Sequence, residues 1–290
     1  MQGIKKALVI VNTWKSEAGP LAKMICEKLS GFRIESDICE YDGLSVATCF
    51  EGYDVAITLG GDGTVLFAAR YCSSLHIPVF PVNLGEFGFI AGIGKNEWEQ
   101  HLVDFIEGRS ESVERMLLEA RVEREGRTVF VSNALNDAVV SGSGIAKIVK
   151  LEVLFNGLSF GTYKADGIIV STPTGSTAYS AASGGPILGP DLSAFVLTPI
   201  CAFSLSNRPI VLPPSGTLRL TVMEMRHKDA ILTIDGQEVF HLMVGDTIFI
   251  DESPHKVRLV GCDTDVFYSA LRSKLNWSGA PVPDCGGSHA

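Results

Sequence analysis

The chain has 290 residues, of which 46% are hydrophobic, and a formal net charge of −9. That length provides for one large or two ordinary domains with a sizeable core. The acidic balance excludes a general nucleic-acid or acidic-membrane binder, whose affinity rests on a basic surface. Any anionic ligand must therefore be gripped by local N–H groups and a few lysines or arginines. The seven cysteines (26, 39, 49, 72, 201, 262 and 285) form no C-x-x-C pair, and their odd number fits a reducing cytosol. Six scattered histidines without H-E-x-x-H predict no metal site. The first apolar run is too short to span a membrane and leads into Trp14-Lys15-Ser16-Glu17, unlike a signal-peptide cleavage region. The expectation is a soluble, cytoplasmic protein.

In chain order, Ala7-Leu8-Val9-Ile10-Val11 reads as a strand covered on both faces and ended by Asn12. A helix is predicted from about Pro20 to Leu29, closed by Gly31, then a strand over Ile34–Tyr41 and a short helix over Leu44–Phe50. Val55-Ala56-Ile57-Thr58 is a further buried strand, and Val65-Leu66-Phe67-Ala68-Ala69-Arg70 has a helical pattern. Between them lies Leu59-Gly60-Gly61-Asp62-Gly63-Thr64. Glycines let a backbone approach a ligand closely, and free N–H groups at a helix start attract phosphate. Asp62 is the odd member, because a carboxylate repels a polyphosphate. It either takes a proton from an attacking hydroxyl or helps to place a cation. The string is neither a dinucleotide fingerprint nor a Walker loop.

Pro78-Val79-Phe80-Pro81-Val82 is the next strand. Strands alternating with helices predict a Rossmann-like parallel sheet, with ligands at the carboxyl ends of its strands. A second glycine-rich turn, Asn83-Leu84-Gly85-Glu86-Phe87-Gly88-Phe89, emerges at the same end. Its phenylalanines either pack in the core or lie against a flat base. Asn96 reads as the N-cap of a helix over Glu97–Ile106, with Gly108 at its end.

After Gly108 the pattern alternates. Apolar segments at Met116–Glu123, Thr128–Val131, Ala138–Val140, Leu151–Phe155, Ile168–Val170, Leu218–Val222, Ile231–Ile234 and Thr247–Ile250 predict a β-sandwich. Asp265 reads as the cap of a last helix, Val266–Leu275, and the tail from Ser278 is rich in Gly, Pro and Ser. The chain thus divides into an α/β domain (1–110), a β-sandwich domain (111–264), and a terminal helix and tail (265–290).

Three more stretches carry chemistry. Asn136-Asp137 interrupts the β pattern: an amide suits a purine edge and a carboxylate suits ribose hydroxyls, while the same pair also makes turns. Ser171-Thr172-Pro173-Thr174-Gly175-Ser176-Thr177-Ala178-Tyr179-Ser180 has little to bury and many donors to present, which suits a sugar-phosphate ligand. Ile234-Asp235-Gly236-Gln237 reads either as a hairpin turn or as a ligand contact.

Together with Asp166-Gly167 and Gly184-Gly185-Pro186, these stretches resemble the NAD kinases. The Gly-Gly-Asp-Gly-Thr string is shared with diacylglycerol kinases and phosphofructokinases, and the Thr-Pro-Thr-Gly-Ser-Thr-Ala-Tyr run is characteristic of NAD kinases. The resemblance implies that the last helix returns to the first domain and that NAD lies in the cleft between domains. It implies that Asp62 accepts the proton of the adenosine-ribose 2′-hydroxyl as that oxygen attacks the terminal phosphate of ATP. Gly63 and Phe89 would line the NAD site, and Asn136 and Asp137 would hold adenine or ribose. Lys147 and Lys164 occupy positions often basic in the family. Asp166, Thr174, Thr177, Ala178, Tyr179, Ser180, Ala181, Ala182 and Gln237 would complete the site. Mg²⁺ or another divalent cation with ATP, and a homodimer or homotetramer, are further implications. One departure is Gly85-Glu86-Phe87-Gly88-Phe89, where the family commonly has Gly-Asn-Leu-Gly-Phe.

Overall fold

The computed structural model describes residues 3–43, 49–85, 88–143, 148–204, 206–224 and 230–275. Its first part alternates β1 (Lys6–Asn12), α1 (Ala18–Gly31), β2 (Glu35–Tyr41), β3 (Val55–Gly60), α2 (Asp62–Cys72), β4 (Val79–Asn83), the two-residue β5 (Ile93–Gly94) and α3 (Trp98–Ile106). All neighbouring strands pair in parallel, in the order β2-β1-β3-β4-β5. Period-two alternation sends Ala7 and Val9 to one face, against Ile25, Leu29 and Leu102. Leu8 and Ile10 go to the other, against Phe67.

The second part contains β6 (Ser112–Arg124), β7 (Arg127–Ala134), β8 (Asp137–Gly142), β9 (Val149–Phe155), β10 (Leu158–Ala165) and β11 (Gly167–Ser171). A 3-10 turn over Thr174–Thr177 and the four-residue α4 (Tyr179–Ala182) follow. Then come β12 (Phe195–Ile200), β13 (Ile210–Leu212), β14 (Leu218–Val222), β15 (Ala230–Ile234), β16 (Glu238–Leu242), β17 (Thr247–Val260) and α5 (Thr264–Leu275). Six strands form an antiparallel sheet in the order β13-β12-β11-β8-β15-β16. Its inward residues Val140, Val170, Leu197 and Leu232 meet Ala120, Val153, Leu220 and Ile250 from the facing strands, which makes the expected sandwich.

The facing strands belong to a sheet that does not stop at the sandwich. β17 pairs antiparallel with β14 and β6 along its course, and at Leu259 it pairs in parallel with Val79 of β4. One eleven-stranded sheet therefore runs through both parts of the chain.

Several boundaries differ from the sequence reading. α1 begins at Ala18, with Pro20 in its first turn where a missing N–H is harmless. It is followed by Arg33 at φ 60, so Gly31 is its last residue and not its left-handed stop. Residues 44–48 of the helix expected over Leu44–Phe50 lie outside the described residues, and Cys49 and Phe50 are not helical. α2 starts at Asp62 itself, so Gly63 and Thr64 belong to its first turn. α3 starts at Trp98 with no side-chain cap, so Asn96 is not its N-cap. Asp263, not Asp265, caps α5: its Oδ1 accepts the Val266 N–H at 3.0 Å. Phe267, Ala270 and Leu271 form the buried side of that helix, and Phe267 faces Phe89 of the first part at 6.0 Å between ring centroids. The tail from Ser278 lies outside the described residues.

Candidate active site

β3 is buried along its whole length and delivers Gly60-Gly61 to the start of α2. A Cβ at Gly60 would lie 2.1 Å from Thr64 Oγ1, so only glycine permits this turn. Thr64 Oγ1 in turn accepts from Asn12 Nδ2 at 3.3 Å, which ties the end of β1 to the turn. Asn12, read from sequence only as a strand end, is thus part of the scaffold.

Asp62, in the first turn of α2, directs its carboxylate at the segment after Gly88. Oδ2 accepts the Phe89 N–H at 3.0 Å, and Oδ1 accepts the Ala91 N–H at 3.0 Å and the Ile90 N–H at 3.4 Å. A Cβ at Gly88 would lie 2.0 Å from Oδ1, so that glycine makes room for the carboxylate. The second glycine turn, of which Glu86 and Phe87 lie outside the described residues, therefore serves Asp62 directly.

Across from this turn is a cleft of about 380 Å³ lined by Asn136, Asp137, Val139, Ser141, Ala178, Tyr179, Thr233, Asp235 and Gly236. Its floor is built by Asp235. The β15–β16 hairpin turns at Asp235 (φ 51) and Gly236 (φ 66), as the Asp-Gly pair predicts. The buried Asp235 carboxylate then reaches back to the segment between β7 and β8. It accepts the N–H groups of Asn136 at 2.7 Å, Leu135 at 3.0 Å and Asp137 at 3.1 Å. Sequence reasoning missed this role because a turn residue with a positive φ already had a sufficient explanation.

Burial pushes the Asp137 carboxyl up to about 7, and the neighbouring Asp235 charge adds to it. Burial pushes Asp235 up to about 6, against the pull of the Leu135 and Asn136 N–H groups, the Arg70 guanidinium and the Asp137 N–H. Two acids facing one cleft thus titrate close to neutrality.

The hydroxyl-rich run behaves differently from the expectation that it has little to bury. Ser171, Thr172, Thr174, Ser176 and Ser180 are all buried. Thr172 Oγ1 donates to Leu135 O at 2.5 Å, Ser176 Oγ to Pro173 O at 2.6 Å, and Ser180 Oγ shares a hydrogen bond with Thr198 Oγ1 at 2.9 Å. The Thr172 and Ser176 hydroxyls thus satisfy the backbone of a tight internal bend. The Ser180 hydroxyl is consequently turned away from the cleft, whereas Ala178 and the half-exposed Tyr179 face it. Thr177 Oγ1 donates to Thr174 O at 3.1 Å, and Ala181 and Ala182 follow in α4.

The other expected residues separate into groups. Phe89 and Thr174 meet at a small void with Ile90, Arg115 and Phe267, and the Phe89 ring also has Lys274 Nζ 5.2 Å from its centroid. Lys164 and Asp166 are exposed at the ends of β10 and β11, with Asp166 O accepting Gly142 N–H one step beyond the Ser141–Gly167 pair. Lys147 lies outside the described residues. Gln237 spans to the first part of the chain: its Nε2 donates to Gly63 O at 2.6 Å. That bond sets the Asp62 turn beside the cleft.

Among known proteins, residues 8–110 match the model of the ATP-NAD kinase N-terminal domain, and residues 135–262 match the ATP-NAD kinase C-terminal domain. An NAD kinase of Treponema denticola is 56% identical over 281 residues, covering 97% of this chain and 99% of that protein. An NAD kinase of Treponema pallidum is 50% identical, covering 96% and 92%. The fold is shared with yeast NADH kinase complexed with NADH, at TM-score 0.86 and 22% identity over 98% of this chain and 90% of that one. It is also shared with an Archaeoglobus fulgidus NAD kinase in complex with ATP, at TM-score 0.74 and 23% identity over 94% and 99%. The chain belongs to the ATP-NAD kinase family.

Proposed function

We propose that the protein transfers the terminal phosphate of ATP to the 2′-hydroxyl of the adenosine ribose of NAD, giving NADP. The observation that carries this reading is Asp62, seated in a glycine turn at a helix start and joined through Gly63 and Gln237 to the cleft. NAD occupies that cleft, with Asn136 and Asp137 toward its adenine and ribose and Ala178 and Tyr179 along its wall. On binding, the Asp62 carboxylate exchanges amide partners for the 2′-hydroxyl and accepts its proton as the oxygen attacks phosphorus. Gly63, Phe89, Lys147, Lys164, Asp166, Thr174, Thr177, Ala182 and Gln237 belong to the same site in this reading. α/β residues 1–110 supply the base, residues 111–264 the acceptor site, and the α5 part of residues 265–290 the helix behind Phe89.

Phosphoryl transfer depends on positioning and on neutralising phosphate charge, a task that Mg²⁺ performs when bound to ATP. Among the described residues no three His, Cys, Asp or Glu side chains converge on one point. Phosphate oxygens of the donor are then the principal ligands, and the cation enters as part of the substrate. No helix among the described residues is long and apolar enough to cross a membrane. Cytoplasmic residence and a homodimer or homotetramer complete the proposal.

The test is an NADP-formation assay with donor and acceptor varied in turn. Asp62→Asn is expected to lower turnover by about 10²- to 10⁴-fold while NAD still binds. Phosphate appearing on diacylglycerol and not on NAD would transfer the protein to the lipid kinases. NAD binding without NADP formation in the parent would make it a nucleotide sensor.

A further inference from the structure

Arg70 has entered so far only through its pull on the Asp235 carboxyl, yet its setting is constrained. It projects from the last turn of α2, eight residues beyond Asp62, and its side chain is 10% exposed. One terminal nitrogen, Nη2, donates to Gln237 Oε1 at 3.2 Å and to Ile234 O at 3.5 Å. The other, Nη1, is 3.8 Å from Glu238 Oε2, which also accepts from Ser132 Oγ at 2.7 Å. Arg70 Nε has no hydrogen-bond partner. A buried guanidinium from the helix that carries Asp62 is thus aimed at the hairpin that carries Asp235.

The orientation of the Gln237 carboxamide follows from its neighbours. A guanidinium can only donate, so it faces Oε1, and the Gly63 carbonyl can only accept, so it faces Nε2. The opposite orientation sets donor against donor and acceptor against acceptor. Without Arg70, the amide keeps its Gly63 partner but loses the second anchor, the one that ties its oxygen to α2.

We infer that Arg70 is a positioning residue for phosphoryl transfer: by fixing the Gln237 amide it holds the Gly63 carbonyl, and with it the Asp62 turn, at a set distance from the acceptor cleft. The inference rests on the NAD kinase reading above. Its consequence falls on turnover, because the base and the acceptor hydroxyl sit on opposite sides of this clasp. A misplacement of about 1 Å between reacting groups costs on the order of 10²-fold in rate.

The experiment compares Arg70→Met, Gln237→Ala and the double variant by kcat, by KM for NAD and by melting temperature. NADP formation by the parent is measured first, and its absence would reject the activity without reference to Arg70. Each single variant is expected to lose at least about tenfold in kcat, Arg70→Met with KM within about threefold, and the double variant to be no more than about threefold worse than either. Gln237→Glu retains the oxygen facing Arg70 but turns a second acceptor toward Gly63 O, and is expected to match Gln237→Ala. If Arg70→Met does not fold, Gln237→Glu and Gln237→Ala decide the matter. Losses that multiply in the double variant, a fall in melting temperature at parental kcat, or Gln237 variants with parental kcat would each overturn the proposal.

Discussion

Three backbone amides hold the Asp62 carboxylate, and three others hold that of Asp235. The sequence string around Asp62 announced a special aspartate, and the stretch around Gly88 announced a second glycine-rich turn at the same sheet end. That the second turn exists to admit the first residue's oxygens was not legible, because the two lie on different strand ends. Asp235 was harder to see, since a hairpin fully accounts for Asp-Gly in one dimension. The Asp137–Asp235 pair also has a thermodynamic signature. Both acids are raised in the folded state above their ordinary value of 3.8, to about 7 and about 6. The folded state then binds more protons than the unfolded chain from about pH 4 to pH 7, so stability falls as pH rises through that window. The melting temperature of the ligand-free protein is expected to decline from pH 5 to pH 7.5, and Asp137→Asn is expected to flatten that decline. A parental curve with no such decline, or one identical in the variant, would contradict the assignment of burial as the cause.

Most elements with clear periodicity formed where the sequence placed them, and the exceptions have local causes. β10, β12, β13 and β16 were not read from the sequence; in β12 the apolar run ends at Pro199, which nevertheless sits opposite Ile168 within the antiparallel ladder. β5 has two residues and leaves no periodic trace. The hydroxyl-rich run after β11 was recognised, but not that Thr172, Ser176 and Thr177 bond the backbone of their own bend. The bend is tight: a Cβ at Gly175 would lie 2.1 Å from Asn136 O and 2.6 Å from Asn136 Cα. Those are backbone atoms of the segment that faces the cleft, and they cannot yield as a flexible side chain would. Gly175→Ala is therefore expected to shift Asn136-Asp137, raising KM for NAD at least about tenfold and lowering the melting temperature by several degrees. Unchanged KM, measured by initial rates at saturating ATP, would show that the bend does not set the cleft.

At the level of the whole molecule, composition correctly indicated a large core, and the change of pattern after Gly108 correctly indicated two kinds of architecture. What no one-dimensional pattern could give is the sheet that joins them, because β17 pairs with β4 across 180 residues of sequence. Leu259 lies at that junction and is fully buried. Leu259→Ala is expected to cost about 2–5 kcal/mol, as for other large-to-small core changes. Calorimetry should record one endotherm in the parent and in the variant, displaced downward as a unit. Two separate transitions in the parent would mean that the shared ladder does not couple the parts.

β17 also limits how ligands can come and go. Swinging the two parts apart like jaws would break the Leu259–Val79 pairing that joins β17 to β4. The parts of the site held by few contacts lie at the rim, where Tyr179 is half exposed and the Asp62 carboxylate is held by the amides after Gly88.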